Sequence, residues 1–409
     1  MKKYNIFIAL AIVATLVGCN KDINTTTEEW GDVNIPLDPS KHYIHFDADV
    51  STRGALIEGT ILQDDFRVFG YQYPGLWEAE SVLASPNVFD ANPQLVEHQN
   101  GVFSYGTPKV WTGNRYSFFG YYPANHSNIK YFDNDVVQKG TPYITYTLPD
   151  DNDPTKLIDV MTASYIDTGV ASSASVPMQF HHRLSAIDVG ARNYYEYDHD
   201  NNKATAPKLV TIEITKLIVY LTNVVNTSAK IYLDHTIPSV YPENQPKASK
   251  VYAMVNINTP WAVSSFDVVP NTKEDRAIRL VTTQTGENAS SILLIPQTEF
   301  LHGAIELVYK KKYFVDENNN GIQDFVDNNG NEKYDEGDEL IEKWEYIHEG
   351  TNTEDFEFSP TDLNINFSKQ LIEGRRYYIE LTFTSDAVSV NIIAADEWDD
   401  KDDIRHEFE

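Results

Sequence analysis

Apolar and polar residues alternate with a period of two along most of this chain. Ile44, Phe46, Ala48 and Val50 alternate with His45, Asp47 and Asp49, which puts the four apolar side chains on one face of a strand. Phe66 and Val68 flank Arg67, and Tyr116 and Phe118 alternate with Arg115 and Ser117 until Pro123 stops the run. Val210, Ile212 and Ile214 alternate with Thr211, Glu213 and Thr215. The clearest hairpin is near the end: Tyr377, Ile379, Leu381 and Phe383 alternate with polar neighbours, Ser385-Asp386 turns the chain, and Val388, Val390 and Ile392 return. Ser51-Thr52-Arg53-Gly54, Pro74-Gly75 and Asp151-Asn152-Asp153-Pro154 read as turns, and no long amphipathic helix stands out between them. Many short strands with turn signals predict an all-β protein built as antiparallel sandwiches. The small, Ser-rich run Val170 to Val176 predicts a boundary between domains at 43–172 and 173–409.

The first residues read as processing signal. Lys2 and Lys3 precede an apolar run, Ile6 to Val17, that is too short to anchor across a bilayer. Leu16-Val17-Gly18-Cys19 resembles a bacterial lipobox. Residues 1–18 are therefore expected to be removed, with Cys19 lipidated and tied to the outer membrane. Residues 19–42 are polar and read as a tether. Cys19 is the only cysteine, so no internal disulfide is available and stability must come from core burial, with a bound metal as an optional addition.

Composition supports a folded chain: 41% of residues are hydrophobic and 12% aromatic, with 25 Tyr and 19 Phe, enough to fill cores. The length beyond the leader suits two domains. The formal charge is −29, and loss of Lys2 and Lys3 makes the mature chain more acidic still. That sign excludes nucleic acid as a partner and favours solubility at a crowded surface.

Several motifs share an order and spacing behind the lipobox: Arg115-Tyr116-Ser117-Phe118-Phe119-Gly120-Tyr121-Tyr122-Pro123, Asp159-Val160-Met161-Thr162-Ala163, Val176 to Ile187 (VPMQFHHRLSAI), Gly374-Arg375-Arg376-Tyr377 and Trp398. Together they resemble the fimbrillin family, the lipoprotein-derived type V pilins. The resemblance implies two transthyretin-like β-sandwich domains in tandem. It implies export as a lipoprotein, cleavage by an arginine-specific protease near the first strand, and assembly with other pilin subunits by β-strand addition. Arg53, followed by Gly54, matches the family's cleavage position. The residues give that step a physical basis. Removing a strand that carries Ile44, Phe46 and Val50 exposes an apolar groove and unpaired backbone groups, an edge that recruits another strand.

The acidic segment 316–338 reads as calcium loops. Asp316, Asn318, Asn320, Gly321, Asp324 and Asp327 occupy positions 1, 3, 5, 6, 9 and 12 of a first loop, with the Ile322 carbonyl at position 7. A second loop overlaps it through Asp327, Asn329, Asn331, Asp335 and Asp338, with Glu332 in place of the glycine. Ile305, Leu307 and Tyr309 alternate ahead of the first loop, so the expected context is strands, as in a loop-only structural Ca²⁺ site. A solvated acidic loop is the plain alternative.

No catalytic constellation holds up. Ser104-Tyr105-Gly106 has Val102 where a nucleophile elbow needs glycine. His181 and His182 are adjacent, so one strand sends their rings to opposite faces, a poor geometry for one metal. Tyr71, Tyr73 and Trp77 read as core or domain-interface aromatics rather than a carbohydrate platform. The expectation is a non-enzymatic pilus subunit of the outer surface with a role in adhesion to a host or bacterial surface ligand. Two alternatives stay open. One is a tip or anchor subunit, because Asp399 to Glu409 makes a poor donor strand and Val388 to Ile392 is needed by its own domain. The other is a monomeric surface lipoprotein that binds glycan or protein ligands.

Overall fold

A computed structural model describes residues 41–50, 60–77, 85–135, 140–150, 152–166, 175–193, 197–198, 203–204, 209–238, 240–242, 247–255, 261–264, 278–279, 291–298, 302–314, 325–326, 328, 339–340, 342–347, 364–366, 370–383 and 388–394. Among these residues the fold is all-β. A single 3-10 turn, Pro154–Lys156, interrupts the strands, and the Asp153 carboxylate caps it by accepting from the Thr155 amide at 2.9 Å.

The first sheet is built from β1 (Phe46–Val50), β2 (Thr60–Ile61), β3 (Phe66–Tyr73), β4 (Gln94–Gln99), β5 (Val102–Ser104) and β6 (Arg115–Tyr122). Two further short strands, β7 (Ile129–Phe132) and β8 (Tyr143–Thr147), leave it, and β9 (Met161–Ile166) and β10 (Val176–His182) return to it. Its strand order is β2-β1-β10-β9-β6-β3-β4-β5. The pairs are antiparallel except β1 with β10, which run parallel from Phe46 opposite Val176 to Val50 opposite Phe180.

This sheet is buried on both faces at its centre. Phe66, Val68, Tyr116 and Phe118 belong to one apolar cluster, and Phe69, Tyr71, Tyr73, Phe119 and Tyr121 belong to the other. The apolar runs of β3 and β6 therefore have no solvent face. Gly120 is the thin point: a Cβ there would come within 2.9 Å of the Met178 terminal methyl, so its absence lets β10's side chains lie flat across the sheet.

β11 (Ser185–Asn193) follows β10 after only Arg183 and Leu184 but belongs to another sheet. It runs parallel to Arg376–Phe383, which pairs antiparallel with Val388–Ala394 as the hairpin reading expects. Gly374 opens that hairpin with φ +65° and donates its amide to the Leu184 carbonyl at 2.9 Å, a left-handed position that suits glycine. Tyr377, Ile379, Leu381 and Phe383 are all buried. A third sheet centres on the long strands Leu209–Val225 and His302–Phe314, with Leu217 opposite Leu307 and Val219 opposite Ile305. A fourth joins β7 and β8 to Ser228–Tyr232 and Val240–Pro242.

The pairing does not divide at the expected boundary of 173. β10 lies beyond it yet sits between β1 and β9, and β8 pairs with Ser228–Tyr232 across it. The larger apolar cluster likewise joins residues from both sides, including Phe119, Ile144, Ile214 and Ile379. No helix among the described residues is long and apolar enough to cross a membrane.

Candidate functional site

The first strand lies in a groove made by the rest of the first sheet and its facing loops. The period-two reading of 44–50 holds for three of its four apolar positions: Ile44, Phe46 and Ala48 are buried, while Val50 is half-buried. Asp47 and Asp49 face outward. Burial first and the neighbouring Asp47 charge second push the Asp49 carboxyl above its ordinary value.

Backbone bonds hold the segment at three places. Ahead of the strand, residues 42–44 pair with the 109–111 loop, with Ile44 N–H donating to Lys109 O at 2.8 Å and Trp111 N–H to His42 O at 2.9 Å. Along the strand, β10 supplies a five-residue parallel partner, and Val176 N–H reaches His45 O at 2.8 Å. On the other edge β2 offers only two residues, and Leu62 N–H donates to Ala48 O at 3.0 Å. Among the described residues β1 thus has one five-residue partner and one two-residue partner.

Side-chain burial supplies the rest. The Phe46 ring sits among Phe118 at 5.4 Å, Tyr105 at 5.8 Å, Phe66 at 6.0 Å and Phe89 at 6.3 Å between centroids. Three of the four contacts are edge-on, the arrangement the ring quadrupoles favour. The Tyr105 hydroxyl, whose ionisation burial makes harder, donates to the Ile44 carbonyl at 2.9 Å. Gly70 makes the wall possible. A Cβ there would meet the Phe89 ring at 2.6 Å and Val88 at 2.8 Å. Burial of Ile44 and Phe46 stabilises the seated strand by roughly 1.5–3 kcal/mol each. Withdrawing β1 would open a slot lined by these rings and free the β10 edge.

The fimbrillin-like family model matches residues 58–393, from just beyond the first strand to the end of the last described one.

The chain belongs to the fimbrillin-like family.

A fimbrial protein from Bacteroides vulgatus shares the fold at a TM-score of 0.53 and 15% identity, over 87% of this chain and 99% of that one. A candidate cell adhesion protein from Bacteroides uniformis aligns at a TM-score of 0.41 and 10% identity over 87% and 98% of the two chains. One from Bacteroides ovatus aligns at 0.40 and 12% over 88% and 99%. No curated protein matches the sequence.

The family motifs occupy structural junctions of this fimbrillin-like chain. Arg115–Tyr122 is β6, at the centre of the first sheet, and Pro123 follows its end. Val176 to Ile187 is the crossing from β10 into β11, where Arg183 N–H donates to Val160 O at 2.8 Å and the buried Arg183 Nε reaches Thr162 Oγ1 at 2.5 Å. His182 Nδ1 lies 2.7 Å from Asp159 Oδ2, and the His181 ring is 5.2 Å from that of His235. Both histidines are half-buried, where one packed and one exposed were expected. Tyr71, Tyr73 and Trp77 are core residues as expected, and Trp77 Nε1 donates to the buried Asp234 at 2.8 Å.

Cys19, Arg53 and Gly54 lie outside the described residues. So do the expected calcium ligands Asp316, Asn318, Asn320, Ile322, Asp324, Asp327, Asn329, Asn331, Asp335 and Asp338. Their surroundings are partly visible. His302–Phe314 pairs with Glu342–Ile347, and Phe325–Val326 pairs with Glu339–Leu340. The first of these pairs flanks the whole 316–338 segment, and the second flanks 327–338, with Phe325–Val326 falling inside the first loop. Among the described residues no group of three or more His, Cys, Asp or Glu is placed to hold a metal.

The sequence reading missed the rings that receive Phe46 and the 109–111 clamp. Gly70 and Gly120, lone glycines inside strands, were the signal, since such glycines mark close approach.

Proposed function

We propose that this fimbrillin-like protein is a pilus subunit exported as a lipoprotein through Cys19, cut after Arg53, and assembled when a strand of another subunit replaces β1. The mature subunit contributes to adhesion at the outer surface. The observation that carries this reading is the seating of β1: its buried face is a short aromatic and aliphatic plug, and its edges are held by one five-residue partner and one two-residue partner. Such a strand can be exchanged for another of like pattern without rebuilding the rest of the sheet. Arg53 follows β1 by three residues, so a cut there would detach Cys19, tether and strand together. The tandem transthyretin-like sandwiches that the family resemblance implies fit an all-β chain with two large apolar clusters.

N-terminal sequencing of material sheared from cells tests the reading, with a start at Gly54 expected. A start at acylated Cys19 would overturn it and identify an anchor subunit instead.

A tip or cap role is the second reading. Val388–Ala394, the better donor strand in the sequence, is paired over its whole length with Arg376–Phe383, and Val388 and Val390 pack on the larger core. A subunit whose last described strand is committed to its own sheet suits the end of a filament. Electron microscopy with a label on this chain distinguishes label along filaments from label at their ends.

We further propose that residues 316–338 bind Ca²⁺ as a structural ion. Support comes from oxygen-bearing residues at loop spacing and from the strand pair His302–Phe314 with Glu342–Ile347 that flanks the segment.

A further inference from the structure

An open cavity of about 290 Å³ lies beside the face of the first sheet opposite the Phe46 ring, between β3, β6, β7 and the loop joining β6 to β7. Arg67, Tyr121, Asn125, His126, Ile129 and Tyr131 line it. Its size is near the lower end of small-ligand sites, about 300–1,000 Å³.

Three features mark it as a binding site. The Tyr121 ring is buried, and its hydroxyl, which borders the open cavity, has no hydrogen-bond partner among the described residues, so it is free to serve a ligand. Arg67 donates from Nε to Ala124 O at 2.9 Å, from Nη1 to Pro93 O at 3.2 Å and from Nη2 to Asn125 Oδ1 at 2.7 Å. Those acceptors are neutral and use three of its five N–H bonds. No carboxylate pairs with it among the described residues, although the chain is strongly acidic. The Tyr131 ring, 47% exposed, stands at the mouth, braced by Tyr121 and Phe69 with centroids at 6.3 Å in each case.

Further donors line the same cavity. Asn125 gives its oxygen to Arg67, which leaves its amide N–H pair unspent. His126 Nδ1 accepts from Asn128 N–H at 3.3 Å, so the proton of the neutral ring sits on Nε2. A guanidinium without a carboxylate, the Asn125 and His126 N–H donors, a hydroxyl without a protein partner and an exposed aromatic face line one cavity.

We propose that this cavity binds a carboxylated pyranose, the acidic sugar of a surface glycan. The ring's C–H face lies on Tyr131, the carboxylate meets the Arg67 guanidinium and the Tyr121 hydroxyl, and the ring hydroxyls meet Asn125 and His126. Charge-assisted bonds to arginine select the acid over the neutral sugar. The site is separate from the β1 groove and does not rest on strand exchange.

The test uses the full-length chain before assembly and a panel of methyl uronides and sialosides beside their methyl esters, read by saturation-transfer NMR and calorimetry. At least one acid is expected to bind about tenfold or more better than its ester. Tyr121→Phe is expected to weaken that binding about tenfold with an unchanged thermal midpoint, because the lost hydroxyl has no partner in the fold. Tyr131→Ala is expected to abolish it. Arg67 is left intact because it also ties three loop oxygens together. The proposal is overturned if no acidic sugar binds, if acid and ester bind alike, or if both variants bind as the parent does.

Discussion

The Phe46 and Phe118 rings meet edge-on, with centroids 5.4 Å apart and planes at 89°. One ring comes from the first strand and the other from the centre of the first sheet, so this contact measures how firmly the strand is seated. Phe46→Ala should destabilise the uncut chain by about 3–5 kcal/mol in urea unfolding. Val50→Ala, at a half-buried position of the same strand, should cost less than about 1 kcal/mol. In assembled material the Phe46 substitution should have no effect, because the proposed assembly removes that strand. Equal stability of Phe46→Ala and parent before cleavage would contradict the groove.

Gly303 and Gly120 should respond differently to the same change. A Cβ on Gly303 would collide with the Tyr220 backbone carbonyl oxygen, inside the longest strand pairing among the described residues. Gly303→Ala must push two strands apart and should cost about 1–3 kcal/mol or more. Gly120→Ala meets mainly the flexible end of Met178 and should cost less. Thermal unfolding of the two variants side by side checks the order.

Arg376 and Asp188 are both nine-tenths buried, with Nη1 3.4 Å from Oδ2, and Ser291 Oγ donates to the other Asp188 oxygen. Asp188→Ala leaves the guanidinium buried without its carboxylate and should cost about 3–5 kcal/mol. The double variant Asp188→Leu with Arg376→Met removes both charges and should recover most of that loss. A double variant no better than the single would show that the pair is not the source of the effect.

Alkali should unfold the protein through its tyrosines. Burial pushes the Tyr309 hydroxyl up to about 12, and burial together with the Glu306 hydrogen bond and charge does the same for Tyr220. Burial first raises Tyr71, Tyr146 and Tyr252 further. An unfolded tyrosine ionises near about pH 10. The folded state therefore holds protons that the unfolded state gives up, so this stability is complete below about pH 10 and falls as pH rises beyond it. Tyrosinate absorbance should rise cooperatively with loss of β-sheet circular dichroism. Exposed tyrosines ionise near about pH 10 in any case; ionisation of all tyrosines there with no loss of β-sheet signal would contradict the burial.

Calcium should raise the thermal midpoint of the chain, and Asp316→Ala with Asp324→Ala should remove that shift and the calorimetric binding signal. Affinity in the weak extracellular range, Kd about 10⁻⁴–10⁻³ M, is expected because position 12 of both loops is Asp. Unchanged binding in the double variant would sink the assignment.

The sequence by itself determined the all-β class, the strand faces and the terminal hairpin. Those depend on a local period, and Ile44, Phe46, Ile379 and Leu381 all fall on the buried side as alternation requires. It also carried the family motifs. The tertiary structure decided what alternation has no means of stating. β3 and β6 are buried on both faces because a second apolar layer covers what a single sheet would leave to water, so reading Tyr116 and Phe118 as one inward face was incomplete. β10 joins the first sheet because its parallel pairing with β1 links residues more than a hundred positions apart, a partnership that no local window contains. The cavity of Arg67, Tyr121 and Tyr131 has the same origin. A positive charge without a carboxylate and a hydroxyl without a partner become visible only when every neighbour of a buried group is in place.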